Sequence, residues 1–272
     1  MGKSHALSGA VAWLAVSAGW QQAAQHDVVP VGPNVATVLL GAACAAGYAL
    51  LPDIDHPKST IAGALGPITR VPSRVTAWTA ARLRQAGCDH CARGPERGGH
   101  RALTHTAAFA LALGVLLGWL ADRHGRAVGL AVFGVGVWLA TYPALSGRTR
   151  AEVAELVLGD NWPTGRRARR VAGMVGSLLI AGLFVAGAWG LPADGWWWVG
   201  LAAGVGTFTH SLGDALTRSG SPLWWPARIR GCRWRSVGTP RWLRFTTGGP
   251  GEKVVLILLL LAGAGSSWVL VT

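Results

Sequence analysis

Charged residues are scarce in this chain. Only 14% of its 272 residues are Asp, Glu, Lys or Arg, whereas soluble domains contain about 25%. Hydrophobic residues make up 51% of the sequence, and the mean hydropathy is +0.36. This composition excludes an ordinary soluble domain and is typical of an integral membrane protein.

Cysteine is also too infrequent to form a disulfide framework. Of the four cysteines, Cys44 lies within an apolar segment and Cys232 stands alone in a basic loop, where cytosolic exposure argues against disulfides. Cys88-Asp89-His90-Cys91 has the close spacing of half a zinc site. Because a second nearby pair is missing, we interpret this segment as a solvated loop, with a structural zinc knuckle or an accessory ligand set as the alternative.

Long apolar segments are the main feature of the sequence. A membrane-spanning helix needs about 20 largely apolar residues. Seven stretches approach this length, near residues 4–20, 35–51, 103–121, 127–145, 171–191, 195–213 and 254–271. The sequence therefore predicts an all-α, polytopic membrane protein with about seven transmembrane helices. We interpret the first stretch as a retained helix, since only Lys3 precedes it and no convincing signal-peptide cleavage site follows.

The basic residues predict the orientation of the chain. Lys3 and the loops at 52–102, 146–170 and 214–253 contain all Lys and Arg residues except Arg123 and Arg126. Because cytoplasmic loops hold the excess of Lys and Arg, the N-terminus is predicted inside and the C-terminus outside. The basic residues that give the net charge of +13 lie mostly in these loops. We therefore attribute the charge to membrane topology and to attraction to anionic lipid headgroups, and we do not expect nucleic acid as a partner.

We expect a single membrane-embedded domain over residues 1–272, because no internal repeat is visible. It carries a cytoplasmic loop insert at about 57–99 and a basic, Trp-rich segment at about 218–244. Alternating Arg and Trp in the second segment suit a position in the membrane interface. Stacking of single-stranded bases on that surface is the less favoured alternative. Separately, Gly200 and Gly204 lie one helical turn apart, which predicts close helix packing.

Eight potential metal ligands lie at the ends of the apolar segments, on the side predicted to be cytoplasmic. Ionisable groups are expensive to keep in or near a bilayer, so they indicate a functional site. The eight are His5, Asp53, Asp55, His100, His105, His210, Asp214 and Glu252. His26 and His124 fall on the opposite side and are excluded. His56 is on the correct side, but the carboxylates before it are the stronger candidates.

The carboxylates Asp53 and Asp55 lie between Pro52 and Pro57, which favour an irregular turn. Two anions this close repel each other unless a proton or a cation intervenes, and a divalent metal is the simplest such cation. The alternative is a polar turn in which an Asp caps the next helix.

The histidines follow two spacings. His100 and His105 are five residues apart, so we expect a helix that begins between them. His210 and Asp214 are four apart, which places them on one helix face, able to share a metal or to let the carboxylate orient the imidazole. Imidazole is a common ligand of zinc and its relatives. For His100 and His105, the alternative is that both are interfacial histidines that bind no metal.

Together these motifs resemble the YdjM-like family of predicted membrane-bound metal-dependent hydrolases, some members of which are under LexA control. The resemblance rests on His5, LPDID at 51–55, HRALTHT at 100–106, HSLGDALT at 210–217 and Gly251-Glu252, in the order of the family. It implies a helical, metal-dependent hydrolase in the bacterial cytoplasmic membrane. More distantly, His210-x-x-Gly213-Asp214 is similar to an element of zinc-dependent phospholipases C and single-strand-specific zinc nucleases, but the Gln-Pro-Leu-His that follows in the nucleases is missing.

The predicted function is hydrolysis of a phosphoester by two or three divalent ions, zinc or alternatively manganese, at the cytoplasmic membrane boundary. A lipid-linked substrate is favoured, since a site at headgroup depth can reach its ester bond. We expect Asp53 or Glu252 to act as general base and Arg101 or Arg218 to stabilise phosphate charge. The alternatives are a transporter of a metal ion or small solute, although such sites usually lie near the bilayer midplane, and a non-catalytic scaffold.

Overall fold

The structure is a computed structural model that describes residues 2–56, 59, 61–64, 66–87, 100–159, 166–191 and 195–271. Over these ranges the chain is helical, and the only β-structure consists of isolated bridges. In chain order the α-helices are α1 (Gly2–Gln25), α2 (Val35–Tyr48), α3 (Pro67–Gly87), α4 (Ala107–His124), α5 (Arg126–Ala144), α6 (Gly147–Leu158), α7 (Arg166–Ala188), α8 (Trp198–Ala215) and α9 (Pro250–Val271). Short 3-10 helices cover Leu51–Asp55, Leu103–His105 and Arg241–Leu243.

The predicted all-helical membrane class is confirmed, but the count of seven spans is not. A long helix covers each predicted stretch, and within the described ranges five segments are long and apolar enough to cross a membrane. These are Val35–Asp55, Ala107–His124, Arg126–Ala144, Val171–Ala188 and Pro250–Val271. The other two helices, α1 and α8, contain buried polar residues such as His5, Thr207 and His210, which lower their hydropathy.

The insert predicted at about 57–99 is not only a loop. Residues 67–87 form α3, and this helix packs against both the Leu51–Asp55 and the Leu103–His105 turns. The insert therefore supports the two turns that carry Asp53, Asp55 and His105. Cys88-Asp89-His90-Cys91, with its proposed zinc knuckle, lies outside the described residues.

Small residues bring α1, α2 and α8 into close contact. Gly9 of α1 and Gly206 of α8 both lie against α2 at Ala45 and Ala49. A Cβ atom on Gly9 would lie 2.7 Å from the Cβ of Ala49, and one on Gly206 would lie 2.9 Å from the Ala49 nitrogen. These helix axes can approach only because neither position has a side chain. One turn from each glycine stands a histidine, His5 or His210, so the same contact brings the two imidazoles together.

The predicted role of Gly200 and Gly204 in helix packing is confirmed. Both face α4, where Gly200 lies against the backbone of Gly118 and a Cβ on Gly204 would be 3.2 Å from the carbonyl oxygen of Ala110. The pairing of α4 and α8 places the start of α4 beside the end of α8. The ligand-bearing turn that precedes α4 therefore reaches the polar end of α8.

The Trp-rich segment divides into exposed and buried rings. Trp224 and Trp242 are exposed, as the predicted interfacial position requires. Trp234 is instead buried with Ala80 and Ala102, and Trp225 stacks on it with ring centroids 5.0 Å apart. This segment therefore also anchors α3 to the rest of the protein.

Candidate metal centre

The first ligand-bearing segment is the 3-10 turn Leu51–Asp55, which follows α2. Pro52 occupies its first turn, where the missing N–H is tolerated. The turn gives the two carboxylates different environments: the Asp55 side chain is fully buried, whereas that of Asp53 is 34% exposed. They point to neighbouring positions, Asp53 towards His210 and Asp55 towards His100 and His105.

The second segment refines the expected helix start. We predicted that a helix begins between His100 and His105. A short 3-10 helix, Leu103–His105, begins there, but the α-helix α4 begins only at Ala107. Thr106 caps it, with a hydroxyl that accepts from the backbone nitrogen of Phe109 at 3.1 Å. Both histidines therefore precede α4, and His105 ends the short 3-10 helix. This arrangement allows both imidazoles to reach the same carboxylate, Asp55.

The third segment is the end of α8. The Nδ1 of His210 donates to the backbone carbonyl of Ala49 at 2.7 Å, which leaves its Nε2 as the free electron-pair donor. This Nε2 lies 3.2 Å from the Nε2 of His105. His5 of α1 stacks on the imidazole of His210, with ring centroids 4.0 Å apart. Three histidines from three separate segments thus converge.

The Nε2 atoms of these three histidines all lie near the carboxylate of Asp214. Its carboxylate oxygens lie 3.4 Å from Nε2 of His105, 3.7 Å from that of His5 and 3.8 Å from that of His210. Four tetrahedral zinc ligands at about 2.1 Å from the ion would be separated by about 3.4 Å. The distances from the Asp214 carboxylate to the three Nε2 atoms are therefore close to the separation between two ligands of one such ion.

Among the residues that the structure describes, three overlapping groups could each hold a metal ion. In each group the donor atoms lie within 4.8 Å of one another. The groups are His5, His210 and Asp214; Asp53, His105 and His210; and Asp55, His100 and His105. They include seven of the eight predicted ligands. His105 and His210 each belong to two groups, so they are the residues on which the whole cluster depends.

Asp55 also has the contacts of an orienting carboxylate. His100 Nδ1 lies 2.9 Å from its Oδ1, while the Thr104 hydroxyl and the Arg101 backbone N–H donate to its Oδ2 at 2.7 and 3.1 Å. The Thr104 oxygen in turn lies 3.0 Å from Nδ1 of His105. A proton on that nitrogen would leave Nε2 of His105 free to face the cluster, the arrangement that metal-binding histidines commonly have.

Sequence reasoning missed Thr104 and passed over His56. Thr104 is fully buried between Asp55 and His105. Its position directly before His105 was the available signal. His56 packs edge-on against His100, with ring centroids 4.6 Å apart, which places it at the rim of the cluster.

Arg101 has a partner that the sequence did not reveal. Its guanidinium pairs with Asp214 through two contacts, at 3.0 Å from Nε and 3.1 Å from a terminal nitrogen. It also donates to Thr217 at 3.4 Å. Its predicted contact with phosphate remains a prediction, and the geometry shows that it positions Asp214. Arg218, the other candidate for phosphate, is exposed beyond the end of α8.

Glu252 is the predicted ligand that none of the three groups in the described part of the chain includes. Its carboxylate accepts a hydrogen bond from the Ser4 hydroxyl and another, at 2.6 Å, from the backbone nitrogen of Gly248. These contacts join the start of α9 to the start of α1, one residue before His5. The predicted roles of Glu252 as ligand and general base remain predictions.

The charge of the cluster favours a cation. His105 precedes the candidate span Ala107–His124 and is completely buried. Burial lowers its pKa, but hydrogen bonds and charge interactions with Asp214 and Asp55 outweigh this effect and raise the pKa to about 9. The two carboxylates therefore stabilise positive charge where a metal ion would bind.

The chain matches the family model of the YdjM inner membrane protein over residues 1–147 and 168–271. It belongs to the YdjM family. All eight predicted ligands lie within the matched residues, and the gap between the two matched parts falls on α6 and the residues that follow it. The family match, together with the five apolar segments, assigns this YdjM member to the membrane. No curated protein and no solved structure matches the chain.

Proposed function

We propose that this YdjM family member is a metal-dependent hydrolase that cleaves phosphoesters at the membrane boundary. The observation that carries the proposal is the convergence of three histidine Nε2 atoms on the carboxylate of Asp214, inside a buried cluster. Buried ionisable groups without a function are disfavoured in a membrane protein. A site that gathers this many of them supports metal chemistry.

The ligand types and their sharing support two or three ions. Imidazole and carboxylate ligands suit zinc, with manganese as the alternative. Because His105 and His210 each belong to two groups, neighbouring ions would lie close together, as in enzymes that use paired metals for displacement at phosphorus. Seven residues provide the ligands in this proposal: His5, Asp53, Asp55, His100, His105, His210 and Asp214.

Divalent ions here would supply Lewis acidity and a bound water whose pKa falls to about 7. Among the chain's own groups, Asp53 is suited to accept a proton from that water. It is the most exposed carboxylate of the cluster, at 34%, and its Oδ1 lies 3.7 Å from Nε2 of His210. Arg101 holds Asp214 in place through its paired contacts.

The location of the cluster favours a lipid-linked phosphoester as substrate. The ligands lie on the turn after α2, the turn before α4 and the ends of α1 and α8, so they share one end of the helix bundle. We assign this end to the cytoplasmic face because the basic loops predict it. A phosphate at headgroup depth is within reach of such a site without extraction of the lipid.

The decisive experiment combines His210→Ala and Asp214→Ala in one variant. We expect the purified protein to retain zinc or manganese and to hydrolyse bis(p-nitrophenyl) phosphate or phosphatidic acid, and the double variant to lose both properties. His26→Ala and His124→Ala, which lie outside the cluster, provide matched controls. Full metal content and activity in the double variant would overturn the assignment.

Ion flux and thermal stability, measured on the same proteins, separate the alternatives. An ion carrier would move zinc into liposomes without turnover of any phosphoester. A scaffold would bind metal and gain thermal stability from it, but would show neither flux nor hydrolysis. Hydrolysis that depends on both His210 and Asp214 supports the enzyme alone.

A further inference from the structure

We propose that a groove formed by α1, α4 and α8 holds the hydrocarbon chain of the lipid whose phosphoester reaches the metal cluster. This inference rests on the proposed function and names the part of the protein that would recognise the lipid. The occupant is a single acyl or prenyl chain.

The groove has the size and chemistry of a hydrocarbon site. Its volume is about 800 Å³, within the range of about 300–1,000 Å³ that is usual for ligand pockets. It is lined by α1 at Ala12 and Val16 and by apolar residues of α4 and α8. The hydroxyl of Thr209, a polar group in the lining, donates at 2.8 Å to the carbonyl of Gly206 in its own helix. That hydroxyl therefore needs no partner from a ligand.

The groove leads to the metal cluster along two helices. On α8, Leu201, Val205 and Thr209 follow one another at four-residue spacing, and the next position on this face is Gly213. Gly213 lies against His5, since a Cβ atom there would be 3.2 Å from two atoms of the imidazole. On α1, Ala12 lies two turns from His5 on the same face. Both walls thus end at a cluster residue.

The depth of the groove matches one leaflet of a bilayer. Its lining extends from Trp197, directly before α8, to Thr209 on α8, which corresponds to about 18 Å at a rise of about 1.5 Å per residue. Half of a hydrocarbon core of about 30 Å is about 15 Å. The wall on α4 belongs to the candidate span Ala107–His124. A chain anchored by a phosphoester at the cluster would therefore lie in the groove over most of one leaflet.

The location and shape of the groove favour a lipid chain over a second copy of the protein. Gly114 and Gly118, which let α4 approach α8, also line the groove and keep it concave. In lipid, binding depends on close van der Waals packing, because the surrounding tails are as apolar as the lining. A narrow concave surface provides that packing to a flexible chain.

Photocrosslinking tests the proposal. The full-length protein is reconstituted in phosphatidylglycerol vesicles that contain phosphatidic acid with a diazirine on one acyl chain, and the labelled residues are mapped by mass spectrometry. We expect labels to concentrate on the α4 and α8 walls. Ala12→Phe should reduce this labelling by about tenfold, because the larger side chain overpacks the groove. A tenfold change in binding corresponds to about 1.4 kcal/mol. Ala15→Phe, on an exposed part of α1, is the matched control and should leave it unchanged.

Each other outcome is informative. Labels spread evenly over lipid-facing helices such as α9 would overturn the proposal. Unchanged circular dichroism of Ala12→Phe shows that this variant is folded, so that its labelling can be compared with that of the wild type. Equal effects of Ala12→Phe and Ala15→Phe would do the same, as would a dimer that disappears in Ala12→Phe while the lipid map stays constant. If labels map to the groove but metal-loaded protein hydrolyses no phosphoester, the groove stands and the proposed function fails. Turnover with diffuse labels gives the reverse result.

Discussion

The Nε2 atoms of His105 and His210, more than 100 residues apart in the sequence, lie 3.2 Å from each other. Neither imidazole is accessible to solvent. The Nδ1 of His210 is occupied by the carbonyl of Ala49, and that of His105 by Thr104. Both rings therefore direct their remaining nitrogen to the same point, which makes this pair the centre of the proposed metal site.

His105→Ala should remove more metal than His100→Ala. His105 belongs to two ligand groups and is buried, whereas His100 belongs to one and its side chain is 39% exposed. We expect His105→Ala to abolish stable metal retention. His100→Ala removes one ligand from a single group, so we expect it to lower the metal content without abolishing it. Metal content after gel filtration, measured by inductively coupled plasma mass spectrometry, checks this order. Equal losses would show that the groups do not share His105.

Thr104→Val should weaken metal binding without a change in side-chain volume. The substitution removes the donor to Asp55 and the contact to Nδ1 of His105, so a buried carboxylate loses a partner. We expect a stability loss of about 1–3 kcal/mol, and a 10–100-fold weaker affinity. Thr104→Ser keeps the hydroxyl and should restore most of both. Thermal unfolding in detergent and zinc titration provide the two measurements, and an identical defect in both variants would contradict the role of the hydroxyl.

Arg101→Met should make the protein more dependent on metal for its stability. The substitution leaves the buried Asp214 without its paired contacts. Breaking such a pair costs about 3–5 kcal/mol when it is fully buried, and we expect the lower end because Arg101 is 21% exposed. Added zinc should then raise the melting temperature of Arg101→Met by more than that of the wild type. A smaller rise in the variant would show that Arg101 and the metal do not share Asp214.

Gly206→Ala should disturb the cluster from one helical turn away. Its new methyl would lie 2.9 Å from the nitrogen of Ala49, whose carbonyl holds His210. We expect a loss of about 1–3 kcal/mol and reduced metal retention. Gly182→Ala is the matched control, since a Cβ atom there meets nothing within 4 Å and should stabilise its helix by about 0.5–1 kcal/mol. Calorimetry in detergent compares the two, and equal effects would argue against the helix contact.

Local sequence was enough to predict the helical class and most residues of the candidate site. Apolar runs located the long helices, and scarce ionisable residues at their ends identified seven residues that the structure brings into groups that could hold a metal ion. Local sequence did not predict the start of α4. Only a 3-10 turn begins between His100 and His105, and the α-helix starts at Ala107, because both histidines are held by contacts to Asp55 on another turn.

Composition, charge and spacing by themselves determined that this chain is a helical membrane protein with imidazoles and carboxylates at its helix ends, since those properties depend on neighbouring residues alone. The tertiary structure decided which of these groups meet. It placed Arg101 on Asp214, inserted Thr104 between Asp55 and His105, and joined Glu252 to Ser4 outside the three groups. These distances follow from how closely α1, α2 and α8 approach at Gly9 and Gly206, and that approach depends on contacts between residues far apart in the chain.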